Sequence, residues 1–263
     1  MGQVTIHCVR HAQGFHNLNT ANHSLPDPDL TQLGKSQCAT LSRVFPRAPC
    51  FSSPPKITHL VASPLRRTLY TCLLSFPGEV ERGLVVQALP ELQETSDLPC
   101  DTGSAPSKLR EEFGAGQFAG TVDLGLVTDG WNSKTGRWRP TSGAIEARAR
   151  DARVWLRKLA QGAARSSEED VHIVVVTHGG YLHFLTEDWD GHALFTGTGW
   201  ANTEFRSYSF VNADGQDADA SLIETKESWE MRKGSEKPLT ADEQRELRAS
   251  AEEGFVTMEE AKL

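Results

Sequence analysis

Apolar residues along the first 225 positions fall into two recurring patterns. Short runs rich in β-branched residues, at 4–9, 57–62, 84–89 and 172–176, predict strands. The run His172-Ile173-Val174-Val175-Val176 barely alternates, as expected of a strand buried on both faces. Between these runs lie helix formers. Thr31 is placed to cap a helix that runs to Leu41, and Ser63-Pro64 predicts the opening of another that ends near Leu74, with proline in a tolerated first-turn position. Residues 144–164 carry Ile145, Ala149, Ala152, Trp155, Leu156 and Leu159 at helical spacing, which makes one apolar stripe. Residues 203–211 and 220–225 predict a late hairpin, and no internal repeat is visible. The alternation predicts an α/β fold, a three-layer α/β/α sandwich around a mostly parallel sheet.

Two stretches depart from this rhythm. Residues 95–143 are rich in Gly, Asp and Thr and carry Trp131 and Trp138 without clear periodicity, the pattern of an insertion or lid. Beyond Lys226 the chain is dense in Lys, Glu and Arg, with a helix predicted from Thr240. The expected organisation is one domain over 1–225, with 95–143 as its lid, followed by a charged extension over 226–263.

Charge narrows the range of partners. With 27 Lys and Arg against 35 Asp and Glu, the net charge of −8 argues against nucleic-acid binding, which needs clustered phosphate-neutralising cations. A small anion held by a few local arginines remains compatible. No apolar run approaches the roughly 20 residues of a membrane span, and the N-terminus lacks the basic and apolar segments of a secretory leader. The five scattered cysteines, without a Cys-x-x-Cys pair, fit reduced thiols inside a cell. The expected location is cytoplasmic, or peroxisomal if the tail Ala261-Lys262-Leu263, one substitution from Ser-Lys-Leu, acts as an address.

Three strands end in chemically loaded residues: Arg10-His11-Ala12-Gln13-Gly14-Phe15-His16-Asn17, Ser63-Pro64-Leu65-Arg66-Arg67, and Thr177-His178-Gly179-Gly180. Ligands of open parallel sheets bind beyond the carboxyl ends of the strands, so these segments should converge on one pocket. Two histidines and two or three arginines would meet there. Such a set suits a phosphate monoester: guanidinium forks hold the charged oxygens, and a neutral imidazole can attack phosphorus in line. That chemistry requires no metal, and the sequence offers no metal cluster or cofactor motif. The segment Leu89-Pro90-Glu91-Leu92-Gln93-Glu94 offers two carboxylates, either of which could protonate the leaving oxygen. Gly179 and Gly180 should leave backbone amides open to an anion. His16, His183 and Asn202 are expected first as packing or surface residues that could line the mouth, and Trp131, Trp138 and Trp200 as core or lid anchors.

Arg10-His11-Ala12 with Asn17, Ser63-Pro64-Leu65-x-Arg67, Leu92-x-Glu94 and Thr177-His178-Gly179 together resemble the ordered motifs of the histidine phosphatase superfamily, the phosphoglycerate-mutase-like proteins, over about residues 4–211. Arg-His-Ala-Gln-Gly-x-His-Asn, with Ser-Asp-Leu-Pro-Cys-Asp-Thr-Gly at 96–103, is similar to a fungal and plant branch of that family. The resemblance implies a phosphoglycerate-mutase-like fold, His11 as the phosphorylated nucleophile, Arg10, Arg67 and His178 around the phosphate, Asn17 on its oxygens and Glu94 as proton donor. Ala12 stands where the family usually has Gly. The expected activity is metal-independent hydrolysis of a small phosphate monoester. The Glu-Arg-His-Tyr-Gly segment of cofactor-dependent mutases is missing after Glu94, which disfavours phosphoglycerate mutation; a non-catalytic phospho-ligand-binding scaffold is the third alternative.

Overall fold

The computed structural model describes residues 2–164, 169–192, 198–212 and 215–260, so the 261–263 tail with its targeting motif lies outside the described residues. Among the described residues seven strands form one sheet: β1 (Val4–Arg10), β2 (Ile57–Ala62), β3 (Val86–Ala88), β4 (Val122–Asp123), β5 (Val171–Thr177), β6 (Phe205–Phe210) and β7 (Leu222–Glu224). The helices are α1 (Gln32–Val44), α2 (Arg66–Ser75), α3 (Pro77–Glu81), α4 (Pro106–Phe113), α5 (Ser142–Ala164), α6 (Gly179–Thr186), α7 (Lys226–Lys233) and α8 (Ala241–Glu260).

The strand order is β4-β3-β2-β5-β1-β6-β7, parallel except where β6 runs against both β1 and β7. Helices cover both sides of this mixed sheet, as the alternation of elements predicts. Strand periodicity divides the core between its two faces. Ile173 and Val175 pack with Leu156 of α5 and Leu182 of α6, whereas Val174 and Val176 pack with Leu69 of α2 and Leu109 of α4. A strand flanked this way needs apolar residues at successive positions, which is why β5 does not alternate.

Local chemistry moves several boundaries. Thr31 does cap α1, accepting from the Gly34 amide at 3.0 Å. The second helix, expected from Ser63-Pro64, instead begins at Arg66, because Leu65 is extended at φ −68° and ψ 142°. Ser63 is thereby left in the turn after β2, where its hydroxyl meets a histidine. The strand expected over 84–89 shortens to Val86–Ala88, with the Leu84 amide turned back to the Glu79 carbonyl. Within 95–143 the chain forms α4, which buries Leu109 and Phe113, and β4, which extends the sheet beyond β3. Beyond residue 225, α7 and α8 bring Trp229 and Ala251 into buried positions. Thr240 and Glu243 form reciprocal capping bonds at the start of α8. Among the described residues no helix is long and apolar enough to cross a membrane.

Candidate active site

The carboxyl ends of β3, β2, β5 and β1, neighbours in that order, deliver Glu94, Ser63 with Arg67, His178, and Arg10 with His11 to one edge of the sheet. The strand ladder continues past the strand ends and fixes the turns. The His11 amide donates to the Thr177 carbonyl at 2.9 Å, and the Ser63 amide to the Val176 carbonyl at 3.0 Å. The rings of His11 and His178 lie 5.2 Å apart between centroids, and His16 stands 5.3 Å from His11.

His11 is only 2 % exposed. Its Nδ1 lies 2.7 Å from the Ala12 carbonyl, which can only accept, so Nδ1 carries the proton and Nε2 is left with a free lone pair. Burial holds its pKa well below the ordinary histidine value, and the charges of Arg67 and Arg10 press the same way. The imidazole is thus neutral. From behind, Asn202 Nδ2 donates to the His11 carbonyl at 2.8 Å. Asn202 is therefore a brace for the His11 backbone rather than a residue of the mouth.

Arg67 is fully buried. Its Nη1 donates to the Cys100 carbonyl at 2.6 Å, and its Nη2 meets Asp101 Oδ1 at 2.9 Å and His178 Nδ1 at 3.0 Å. Because guanidinium only donates, His178 Nδ1 accepts, and its Nε2 proton points to Ser63 Oγ at 2.9 Å. Both nitrogens of His178 are engaged, so in this state it orients Arg67. Arg10 is anchored by Nη1 on the Trp200 carbonyl, and Trp200 is itself buried under the Arg206 guanidinium.

Among the described residues, the Nε atoms of both Arg10 and Arg67 are buried without a partner, and so is His16 Nδ1. Buried donors without a partner are costly, and Arg10, Arg67 and His16 all lie within electrostatic reach of His11. Two of the three are cationic donors, so the natural partner is an anion. Asn17 sits at the end of the turn of 3-10 helix over Phe15–Asn17; its Oδ1 accepts from the Gly14 amide at 3.0 Å, leaving its NH2 group as the part that can reach an anion.

Glu94 is brought within electrostatic reach of Arg67 and Arg10, whereas Glu91 is turned outward to Arg137 at 3.0 Å. The Glu94 carboxylate accepts from the Tyr181 amide at 3.0 Å and the Gly180 amide at 3.4 Å. This corrects the expectation that the α6 amides stand open to an anion: the Glu94 carboxylate already fills that end of the helix. Burial raises the Glu94 pKa, with Asp101 adding to the rise and the Thr95 amide, Arg67 and Arg10 opposing it. Arg148 shapes the turn from below, donating from Nη1 to the Glu91 and Gln93 carbonyls at 2.8 Å each. Gly179 is required by close approach, since a Cβ there would lie 2.2 Å from Thr198 Oγ1.

Sequence reasoning undervalued His16, which is 8 % exposed with its pKa lowered to about 2 by burial and the two arginines, and it assigned nothing to Ser63, Asp101 or Lys134. Asp101 lies within the 96–103 segment already singled out by its motif; Lys134 had no signal, since only tertiary contact brings it near Glu94. His183 lies away from the mouth, with Nδ1 2.6 Å from the Asp188 carbonyl and Nε2 2.6 Å from the Thr198 carbonyl. Trp131 is a buried anchor that donates to the Ser104 carbonyl, and Trp138 lies under the Arg137 guanidinium.

The model of the histidine phosphatase superfamily (branch 1) matches residues 6–218, and the chain belongs to that family. Among curated relatives, the "Probable phosphatase" of Schizosaccharomyces pombe is 30% identical over 111 residues, 41% of this chain and 49% of that protein. A "Phosphoglycerate mutase-like protein" of Arabidopsis thaliana is 27% identical over 219 residues, 69% of this chain and 73% of that protein. The chain thus spans about half the length of the first of these relatives. The crystal structure of phosphoglycerate mutase from Bacillus anthracis superposes with a TM-score of 0.52 at 17% identity, covering 89% of this chain and 98% of that one. At that identity the likeness speaks for the phosphoglycerate-mutase-like fold alone.

Proposed function

We propose that the protein is a metal-independent phosphatase that hydrolyses a small phosphate monoester through a phosphohistidine on His11. The observation that carries this reading is the neutral His11 with its lone pair on Nε2, set among the unpartnered Nε donors of Arg10 and Arg67. In the first step the Nε2 lone pair forms a bond to phosphorus as the ester P–O bond breaks. Protonated Glu94 gives its proton to the departing alkoxide, a role that its raised pKa favours. Arg10, Arg67 and Asn17 hold the phosphoryl oxygens as charge spreads over them, and Ala12 supports the positive ring through its Nδ1 proton. In the second step water attacks phosphorus, ionised Glu94 takes the water's proton, the P–N bond breaks and orthophosphate leaves. His178 keeps Arg67 in place throughout.

Phosphate release from a panel of monoesters, assayed beside positional isomerisation of 3-phosphoglycerate, tests the proposal. Net release without isomerisation is the expected result. Isomerisation without release would replace it with a mutase. Ligand binding without turnover, altered but not abolished by His11→Ala, would replace it with a scaffold.

A further inference from the structure

We propose that Arg148 is a positioning residue for the proton donor, and that the fit of Glu94 to the leaving oxygen depends on it; this rests on the hydrolytic reading above and deepens it. Arg148 lies on α5 among the core residues Ile145, Ala149 and Ala152, and at 2 % exposure it is too deep to meet a substrate. A guanidinium in such a row is costly unless its donors are matched. One turn of chain matches them. Nη1 donates to the Glu91 and Gln93 carbonyls at 2.8 Å each, and Nη2 to the Glu94 carbonyl at 3.4 Å. Among the described residues Nε has no partner, so all the hydrogen bonding of this side chain goes to the segment from Glu91 to Glu94.

The remaining carbonyl of that turn, Leu92, accepts from Thr177 Oγ1 at 2.7 Å, and Lys134 Nζ adds a bond to the Glu94 carbonyl at 3.3 Å. Every main-chain carbonyl from 91 to 94 is thus held by α5, β5 or the loop that carries Lys134, which leaves the turn a single orientation. The Glu94 carboxylate is fixed separately, by the Gly180 and Tyr181 amides. These two amides precede the first intrahelical bond of α6, from the Leu182 amide to the His178 carbonyl, and have no acceptor within the helix. Arg148 spans both halves of the arrangement. Its guanidinium stands over the Tyr181 ring, 4.9 Å from the centroid, so one cation holds the main chain of the donor and packs on a residue whose amide receives the donor's carboxylate. Without it the Glu91 and Gln93 carbonyls lose their donor and the turn is free to shift. A misplacement of about 1 Å costs about 10² in rate where a proton must be delivered to one oxygen.

Arg148→Met and Arg148→Lys, each alone and combined with Glu94→Gln, test the assignment on two esters. Arg148→Met should lower kcat/KM for an alkyl phosphate by about 10², and by less than about threefold for p-nitrophenyl phosphate, whose leaving group needs no proton. Arg148→Lys keeps the charge and donors but not the fork, and should lose about tenfold on the alkyl ester alone. In the Glu94→Gln background neither substitution should cost more than about twofold on the alkyl ester, because the effect passes through Glu94. The lysine variant carries the same comparison should the methionine variant not fold. Equal losses on both esters, or losses that multiply in the double variants, would overturn the assignment. Failure of the wild type to hydrolyse any ester would refute the hydrolytic reading alone. Hydrogen exchange then decides on Arg148 without substrate: the Gly180 and Tyr181 amides should exchange about tenfold faster in either variant, with the His11 and Ser63 amides unchanged. Unchanged exchange at Gly180 and Tyr181, or a uniform rise across all four amides, would overturn the positioning role.

Discussion

Asp101→Asn perturbs the site while leaving its shape almost unchanged. Asp101 Oδ1 is 2.9 Å from Arg67 Nη2, with side-chain exposures of 12% and 0%. Its other oxygen accepts from Ser96 Oγ at 2.6 Å. At an effective dielectric of about 20, a full charge pair 2.9 Å apart attracts by roughly 6 kcal/mol before desolvation is counted. Breaking a buried pair from one side costs about 3–5 kcal/mol net, and the amide oxygen of Asn can still accept, so a loss near 3 kcal/mol is expected. For a chain of this size that lowers the melting temperature by roughly 6–12 °C.

The account also requires an opposite effect. With Asp101 neutralised, the charge of Arg67 is balanced only when an anion arrives, so the stabilisation conferred by inorganic phosphate should be larger in the variant than in the wild type. Asp101 also contributes to the raised pKa of Glu94, so the alkaline limb of kcat should move to lower pH. Thermal denaturation with and without phosphate, and a pH profile, measure all three effects. Equal phosphate-induced shifts in the two proteins would refute the idea that Asp101 stands in for the substrate's charge.

The remaining predictions concern the proton donor and acid stability. Glu94→Gln should lower kcat/KM, which reports transfer to His11, for an alkyl phosphate by about 10²–10⁴, the usual range for a lost general acid, and lower it less for p-nitrophenyl phosphate, whose leaving group needs no proton. Glu91→Gln should change neither by more than about twofold, being solvent-side and paired with Arg137. Eight histidines have pKa values depressed chiefly by burial, among them His7 to about 3, His16 to about 2 and His192 to about 4. Each binds a proton more readily unfolded than folded, so its contribution is fully present above about pH 6.5 and is lost progressively as pH falls toward the folded-state value. Chemical denaturation should therefore show stability dropping steeply below about pH 6, by up to about 1.4 kcal/mol per pH unit for each such group, with protection by added phosphate. A flat profile between pH 5 and 7 would contradict the buried neutral state of these rings.

The fold was legible because its strongest signals are local. The unbroken apolar run at β5 and the stripe from Ile145 to Leu159 each state how many faces must be buried, and the family motifs fall at the strand ends where a parallel sheet gathers its ligands. The elements that were misplaced are those decided by single contacts. Pro64 and the extended Leu65 delay α2 and free Ser63 for His178, and no periodicity marks that. The α6 amides looked available because nothing in the sequence tells that the Glu94 side chain, from a loop 86 residues earlier, reaches Gly180. Lys134 was invisible for the same reason. His16 differs in kind: a histidine beside a turn is usually structural, and only its Nδ1, unpartnered among the described residues, and its distance to His11 point to the site.

The central claim is that His11 Nε2 takes up the phosphoryl group. Rapid acid-free quenching of the enzyme during turnover, followed by phosphorus NMR and peptide mass spectrometry, tests it directly. The account predicts an acid-labile phosphoramidate on the His11 peptide, absent from His11→Ala and longer-lived in Glu94→Gln. Turnover that proceeds with no such adduct, or with the phosphoryl group on His16 or His178 instead, would contradict it.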